Sequence, residues 1–279
     1  MKNKYCTLLS LALGLLAAFP IHSLAADPGI YYYFEDNSDP TMPINSGDGP
    51  FNFHYLGDTL QTTTQAKFGK GSMLIGEKKG DALYINHGNG FASQQSEFSD
   101  GIEKMTITAW VRPANPPEGR NSFYPGFWIF GRLSGNDGWG PGHFTFGFAY
   151  DKLQFTYYSD GGQKQTFNSS PIKYVESEEW THVGMTFDQG KIVFYFNGLP
   201  IGDADGTPVK ATNISQVDGK SILIGFSNNH KGDCIDDFGF LVGRALTESE
   251  IDTVYNKGLQ EFVKGTAAKA APAKAPVKK

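Results

Sequence analysis

The sequence predicts an all-β domain in which two antiparallel sheets form a sandwich, followed by one short C-terminal helix. Three observations favour this fold class. Several segments alternate apolar and polar residues with period two, the chain contains 34 glycines and 14% aromatic residues, and helical periodicity is confined to one late segment. Aromatic and β-branched residues suit strands, and glycine suits the turns between them. All-β sandwiches of this length often form a single domain.

The N-terminal segment, residues 1–25, has the order of features of a secretory signal peptide. Lys2 and Lys4 precede an apolar run over 8–19, which is shorter than the ~20 residues that a transmembrane helix needs. Ser23 and Ala25 then supply small residues at the −3 and −1 positions of a cleavage site. We therefore expect a secreted or otherwise extracytoplasmic protein with no transmembrane segment in the mature chain.

The charge distribution argues against nucleic acid as a partner. The whole chain has a formal net charge of −5, and lysines are concentrated at both ends, so the central body is more acidic than the total. Proteins that bind nucleic acid usually present a basic surface instead. After cleavage the chain keeps one cysteine, Cys234, which excludes an internal disulfide.

Period-two alternation predicts most of the strands. Within 105–112 the apolar residues Ile107, Ala109 and Val111 alternate with Thr106, Thr108 and Trp110, which predicts a strand. Residues 144–150 and 153–157 predict one hairpin, and residues 181–187 and 191–196 predict a second. Shorter strands are predicted near 72–75, 82–85, 221–225 and 235–242.

The C-terminal part predicts a helix and then a disordered tail. Residues 247–257 have helical periodicity, and Thr247 followed by Glu250 has the spacing of a capping box. Residues 263–279 consist mainly of Lys, Ala and Pro, which have little to bury. The folded domain is therefore expected over 27–262. The tail is either a soluble spacer or a basic segment that contacts an anionic surface.

Four motifs resemble laminin-G-like jelly-roll domains of the concanavalin-A-like lectin/glucanase superfamily. They are TITAWV at 106–111, WTHVGM with YFNG over 180–198, ILIG at 222–225, and IDDFGF from 235 with the helix that follows. The resemblance covers about 30–258 and implies a two-sheet jelly roll. It does not imply one ligand, because this fold hosts lectins, glucanases and adhesion modules.

The catalytic motif of the superfamily's glycosidases is incomplete in this chain. Those enzymes carry Glu-x-Asp-x-x-Glu on a strand, which places two carboxylates about 5 Å apart. The nearest match is Glu250-Ile-Asp252, where Tyr255 stands in place of the second Glu, and it falls in the predicted helix. We therefore expect no catalytic residues and no enzymatic activity, with a glycan-active hydrolase as the alternative.

The resemblance also implies that the first and last strands lie side by side, where related modules often hold a structural calcium. Glu35 and Asp36 end the first strand, and Asp236 and Asp237 begin the last. Carboxylates are suitable calcium ligands. Asp236 is expected on the same face as Phe238 and Phe240, where an unpaired carboxylate would be costly. The alternatives are a calcium site and a hydrogen-bonded corner without metal.

Aromatic and polar residues around 121–142, together with the next hairpin, form a candidate sugar-binding site. Sugar binding needs aromatic faces for stacking and polar groups for hydroxyls. The predicted ligand residues are Trp128, Arg132, Asn136, Asp137, Trp139 and Tyr158. Packing of these aromatics within the loop is the alternative.

The sequence thus favours a non-catalytic binding or adhesion module at the cell exterior. Its expected ligand is an extracellular glycan, with an anionic surface as a further partner through the tail. A hydrolase of the same fold and a structural envelope or matrix component are the alternatives.

Overall fold

The structure is a computed structural model, and its described residues form two packed antiparallel sheets. These residues are 29–35, 54–56, 58–76, 82–85, 102–114, 126–134, 144–158, 163–172, 175, 178–206, 220–226 and 232–270. The segment predicted as a signal peptide, most of the 121–142 loop and the end of the tail therefore lie outside the described residues.

Sheet A has eight strands within the described ranges. Its order is β13 (Leu199–Asp205), β12 (Lys191–Phe196), β11 (Thr181–Asp188), β6 (Lys104–Arg112), β15 (Cys234–Val242), β4 (Ser72–Leu74) and β3 (Leu60–Thr62), with β1 (Gly29–Tyr32) paired to β15. Each of these pairs is antiparallel. The first and last strands are therefore neighbours, as the family resemblance implied.

Sheet B has seven strands within the same ranges. Its order is β10 (Lys164–Asn168), β9 (Lys152–Tyr158), β8 (Phe144–Ala149), β7 (Gly126–Ser134), β14 (Lys220–Phe226), β5 (Ala82–Ile85) and β2 (His54–Leu56). All of its pairs are antiparallel as well. The two sheets together confirm the predicted all-β sandwich.

Aromatic rings join the two sheets in the core. Phe130 of sheet B lies 5.2 Å from the ring of Phe238 and 4.7 Å from that of Phe240, both on β15 of sheet A. All three side chains are fully buried. Tyr157 also belongs to this core, whereas its neighbour Tyr158 does not, because side chains alternate along a strand.

A second apolar core lies on the outer face of sheet A. Tyr195 and Leu241 pack there against Ile251 of helix α1 (Glu248–Lys257) and Leu259 of helix α2 (Leu259–Ala270). The predicted capping box of Thr247 and Glu250 is confirmed. Helix α2 was not predicted, and it includes residues expected in the disordered tail. Buried Leu259 and Phe262 explain why this segment folds against the sheet.

Two local features differ from the sequence prediction. Tyr150, expected at the end of a strand, lies in the turn between β8 and β9, is 57% exposed and has φ +60°. In addition, the pairing of β15 with β6 shifts between Asp236 and Gly239, which is a β-bulge. A bulge changes which face the later side chains occupy, and this determines the position of Asp236.

Candidate functional site

The bulge in β15 turns Asp236 away from the core between the sheets. Ile235 and Phe238 both belong to that core, and Asp237 between them has φ +50°. Asp236 lies opposite Trp110 in the register, on the other face of sheet A. The expectation that Asp236 shares a face with Phe238 and Phe240 is therefore wrong, because strict alternation does not hold across a bulge.

The carboxylate of Asp236 holds the 67–68 backbone in place. Its Oδ2 accepts hydrogen bonds from the N–H groups of Lys67 (2.7 Å) and Phe68 (3.1 Å), and its Oδ1 accepts one from the N–H of Asp237 (2.7 Å). Asp236 is only 1% exposed. Burial raises its pKa to about 8, although the backbone hydrogen bonds act in the opposite direction.

Asp237 and Glu35 fasten two further segments beside it. Asp237 Oδ2 accepts a hydrogen bond from the N–H of Leu259, the first residue of α2. Glu35 accepts from the N–H of Lys70, with N···O distances of 3.1 and 2.9 Å to its two carboxylate oxygens. Burial raises the pKa of Asp237 to about 7. Three carboxylates thus connect β15, the 66–70 segment and the C-terminal helices.

In the described part of this corner, the carboxylates of Asp236 and Asp237 accept hydrogen bonds from backbone N–H groups. A calcium ion would need oxygen ligands from the same carboxylates. Among the residues that the structure describes, no group of three or more His, Cys, Asp or Glu side chains is arranged to hold a metal ion. Asp36 lies outside those residues, so the calcium site stays a prediction.

A second candidate site is a cleft on the outer face of sheet B. Trp128 on β7 pairs with Gly147 on β8, and Gly147 also pairs with Gln154 on β9. Gln154 in turn pairs with Asn168 on β10. Their strand neighbours Phe127, Phe148 and Phe155 are in the core. These four residues therefore form one row across the outer face, since side chains alternate along strands.

The cleft has a volume of about 510 Å³, within the range of small-molecule sites. Gln154 Nε2 donates a hydrogen bond to Asn168 Oδ1 at 2.9 Å, so the two amides form a cross-strand pair. Gly147 contributes no side chain, and a Cβ there would lie 2.2 Å from the carbonyl oxygen of Phe127. The full lining is Trp128, Ala149, Tyr150, Asp151, Lys152, Gln154 and Asn168.

The predicted sugar-binding residues are only partly brought together. Trp128 lines the cleft, whereas Tyr158 is 9% exposed on β9, two alternations beyond Gln154. Arg132 lies on β7 opposite Phe144, and its side chain is outside the described residues. Asn136, Asp137 and Trp139 are outside them altogether.

Gln154 and Asn168 were not predicted from the sequence. The signal was available for Gln154, because a polar residue between Leu153 and Phe155 on an alternating strand must face away from the core. Asn168 belongs to β10, a strand with exposed and half-buried residues in alternation that was not predicted.

Glu250 and His182, whose side chain types often transfer protons in enzymes, have structural roles here. Glu250, in the incomplete glycosidase motif, completes the capping box of α1 and forms an ion pair with Arg244. His182 is fully buried, with its Nε2 2.8 Å from Thr108 Oγ1 and its ring 5.4 Å from that of Trp110. Burial lowers the pKa of His182 to about 3, and the charge of Lys67 acts in the same direction.

The two antiparallel sheets pack together through Phe130 of sheet B and β15 of sheet A, and they define a β-sandwich of the jelly-roll type. The family model for the concanavalin A-like lectin/glucanases superfamily, Laminin_G_3, matches residues 79–252. Because this match covers more than half of the chain, the chain belongs to that superfamily. No curated protein matches the chain.

Solved structures with the same fold include several toxin binding domains. The binding domain of botulinum neurotoxin serotype G has a TM-score of 0.55 and 14% identity, and the alignment covers 83% of this chain and 50% of that one. The binding domain of paraclostridial mosquitocidal protein 1 has a TM-score of 0.55 and 16% identity, with 83% and 52% covered. The botulinum neurotoxin DC binding domain in complex with SialylT has a TM-score of 0.53 and 15% identity, with 83% and 51% covered.

At these identities the likeness shows the fold alone. The chain also spans only about half the length of those structures. Within the described residues, helices long and apolar enough to cross a membrane are absent.

Proposed function

We propose that this chain is a non-catalytic carbohydrate-binding module of an exported protein, and that the sugar binds in the cleft on the outer face of sheet B. The observation that carries the proposal is the row in which Trp128 lies across Gly147 from the amide pair Gln154–Asn168. An indole offers an apolar face for a sugar ring. Primary amides both donate and accept hydrogen bonds, as sugar hydroxyls require.

Several further observations support binding rather than hydrolysis. Glu250 is engaged in a helix cap, and the carboxylates of Asp236 and Asp237 accept backbone N–H groups in a corner away from the cleft. Of the residues that line the cleft, Asp151 is the acidic one, whereas retaining and inverting glycosidases both use two carboxylates. The solved structures of similar fold are named as binding domains.

The test begins with a glycan array probed with the purified protein, followed by calorimetric titration of the glycans that bind. Trp128→Ala is expected to weaken binding about tenfold or more, because an aromatic anchor carries a large share of binding energy. Trp180→Ala is the matched control, since Trp180 precedes β11 of sheet A and does not line the cleft. Equal losses in both variants, or a blank array, would contradict the proposal.

The alternatives predict different results. A hydrolase would release reducing ends from a polysaccharide panel, which we do not expect. A structural envelope or matrix component would fractionate with the envelope and bind no soluble glycan. Contact of the basic tail with an anionic surface predicts retention that is sensitive to salt and lost on deletion of 264–279.

A further inference from the structure

The cleft is short in the direction of the strands. In the next row across sheet B, Thr145 is 1% exposed and Thr156 is 3% exposed, so the outer face is covered at β8 and β9, whereas Thr166 of the same row is exposed on β10. At the opposite end, the turn between β8 and β9 brings Tyr150 and Asp151 to the cleft. A bound chain must therefore run across the strands, from Trp128 towards β10, the outermost strand of sheet B as described.

This axis limits the length of the ligand. The row from β7 to β10 crosses three strand-to-strand steps, which is about 14 Å at the usual sheet spacing. The amides at its far end are uncharged, and Asp151 and Lys152 at the turn have opposite charges. The cleft therefore suits a short, neutral oligosaccharide segment of about three rings.

Tyr150 stands at this cleft in an unfavourable backbone conformation. Ala149 pairs with Lys152, so Tyr150 and Asp151 form a two-residue hairpin loop, and Tyr150 has φ +60° at its first position. Glycine is the usual residue at positive φ in such loops. A bulky side chain at that φ is an outlier that persists only when the surroundings hold it.

The surroundings do hold this turn. The N–H of Ile172 donates to the carbonyl oxygen of Asp151 (2.7 Å), and the N–H of Ser169 donates to that of Leu153 (2.8 Å). The N–H of Leu153 in turn donates to Ser169 Oγ (3.0 Å). The segment after β10 thus fixes the hairpin, while the Tyr150 side chain remains 57% exposed. Because the ring is exposed, packing in the core does not explain the strained backbone of Tyr150.

We propose that Tyr150 is the second aromatic wall of the cleft and that its strained backbone positions the ring in advance for a short neutral glycan. The inference rests on the proposed function of the same cleft. Together with Trp128, the ring would contact one sugar ring at the Trp128 end of the cleft. Preorganisation of this kind reduces the entropy lost on binding.

The experiment separates strain from packing with three variants. Tyr150→Asn removes the ring and relieves the strain, because Asn tolerates positive φ. Tyr150→Phe keeps both the ring and the strain. Gln189→Asn relieves strain at the matching first loop position of the β11–β12 hairpin, where φ is +49°, on the other sheet. Each is titrated with β-1,4-glucose, β-1,3-glucose and β-1,4-xylose oligosaccharides of two to six residues and is melted without sugar.

We expect the affinity of the wild-type protein to increase with oligosaccharide length up to about three sugar residues and then to stay constant. Tyr150→Asn should bind about tenfold more weakly, as for loss of an interface anchor, and melt about 2–4 °C higher. Tyr150→Phe should bind as the wild type does, because it keeps the ring, and Gln189→Asn should melt higher with unchanged binding. A lower melting temperature or unchanged binding in Tyr150→Asn would contradict the role proposed for Tyr150. Affinity of the wild-type protein that keeps rising up to six sugar residues would contradict the proposed ligand length.

The outcomes also separate this inference from the proposed function. If Trp128→Ala loses binding and Tyr150→Asn does not, the cleft is a sugar site and the inference about Tyr150 fails. If the wild-type protein binds neither the panel nor any array glycan, both fail together.

Discussion

Asp237 accepts a hydrogen bond from the backbone N–H of Leu259, so a residue of β15, the last strand, caps helix α2. The link joins residues that are 22 positions apart in the sequence. It depends on the β-bulge, because the positive φ of Asp237 turns its side chain out of the core between the sheets. The C-terminal helices are therefore anchored by a feature of the sheet itself.

Loss of this cap should destabilise the domain. We expect Asp237→Ala to lower the free energy of unfolding by about 1–3 kcal/mol, since a cap is lost and buried N–H groups lose their acceptor. Asp237→Asn should retain most of the stability, because its side-chain oxygen can still accept. Urea denaturation measures both, and Asp203→Ala on the exposed edge strand β13 is the matched control. A stable Ala variant would show that the cap is dispensable.

The buried carboxylates predict lower stability in alkali. Burial raises the pKa of Asp236 to about 8 and of Asp237 to about 7, from 3.8. Each group binds its proton more tightly in the folded chain, so its contribution is complete below pH 3.8 and is lost as the pH rises to about 8. We expect the free energy of unfolding to fall by about 2–3 kcal/mol between pH 6.5 and 8.5. The double variant Asp236→Asn/Asp237→Asn should show a flatter slope in urea titrations, and an equal slope would contradict the assignment.

His182 predicts a loss of stability in acid. Burial lowers its pKa from 6.5 to about 3, so the unfolded chain binds the proton more readily than the folded one. Stability should therefore fall below pH 6.5 by up to about 1.4 kcal/mol per pH unit. His182→Gln can keep a hydrogen bond to Thr108 but cannot titrate. Its unfolding curves between pH 4 and 6.5 should depend less on pH than those of the wild type, and identical curves would rule His182 out as the cause.

The acidic corner also gives a test for calcium. Because the oxygens of Asp236 and Asp237 accept backbone N–H groups, we expect the same melting temperature in calcium and in EDTA. A rise in calcium that disappears in Asp236→Ala would instead support the site predicted from the sequence. Magnesium at the same concentration controls for ionic strength.

Local patterns predicted the strands that carry strong alternation. The β11–β12 hairpin was predicted because two strand-like runs, 181–187 and 191–196, flank a short turn that contains Gly190, and Asn197 and Gly198 suit the turn that ends it. Strands β10 and β13 were missed because they lie at sheet edges and show little burial to produce a pattern. Pairing partners that are distant in sequence decide such strands.

The sites were harder to predict than the fold. Trp128 was identified by residue type, but its amide neighbours come from β9 and β10, which meet it only through the register of four strands. The face of sheet A on which Asp236 lies depends on a β-bulge, and the periodicity of the sequence does not predict that bulge. Helix α2 was missed because its buried residues, Leu259 and Phe262, precede a segment of low-complexity composition.

The two broad faces of the sandwich are not equivalent. Helices α1 and α2 pack on the outer face of sheet A, whereas the cleft opens on sheet B. The thickness of the two sheets therefore separates the C-terminal helices from the proposed binding cleft.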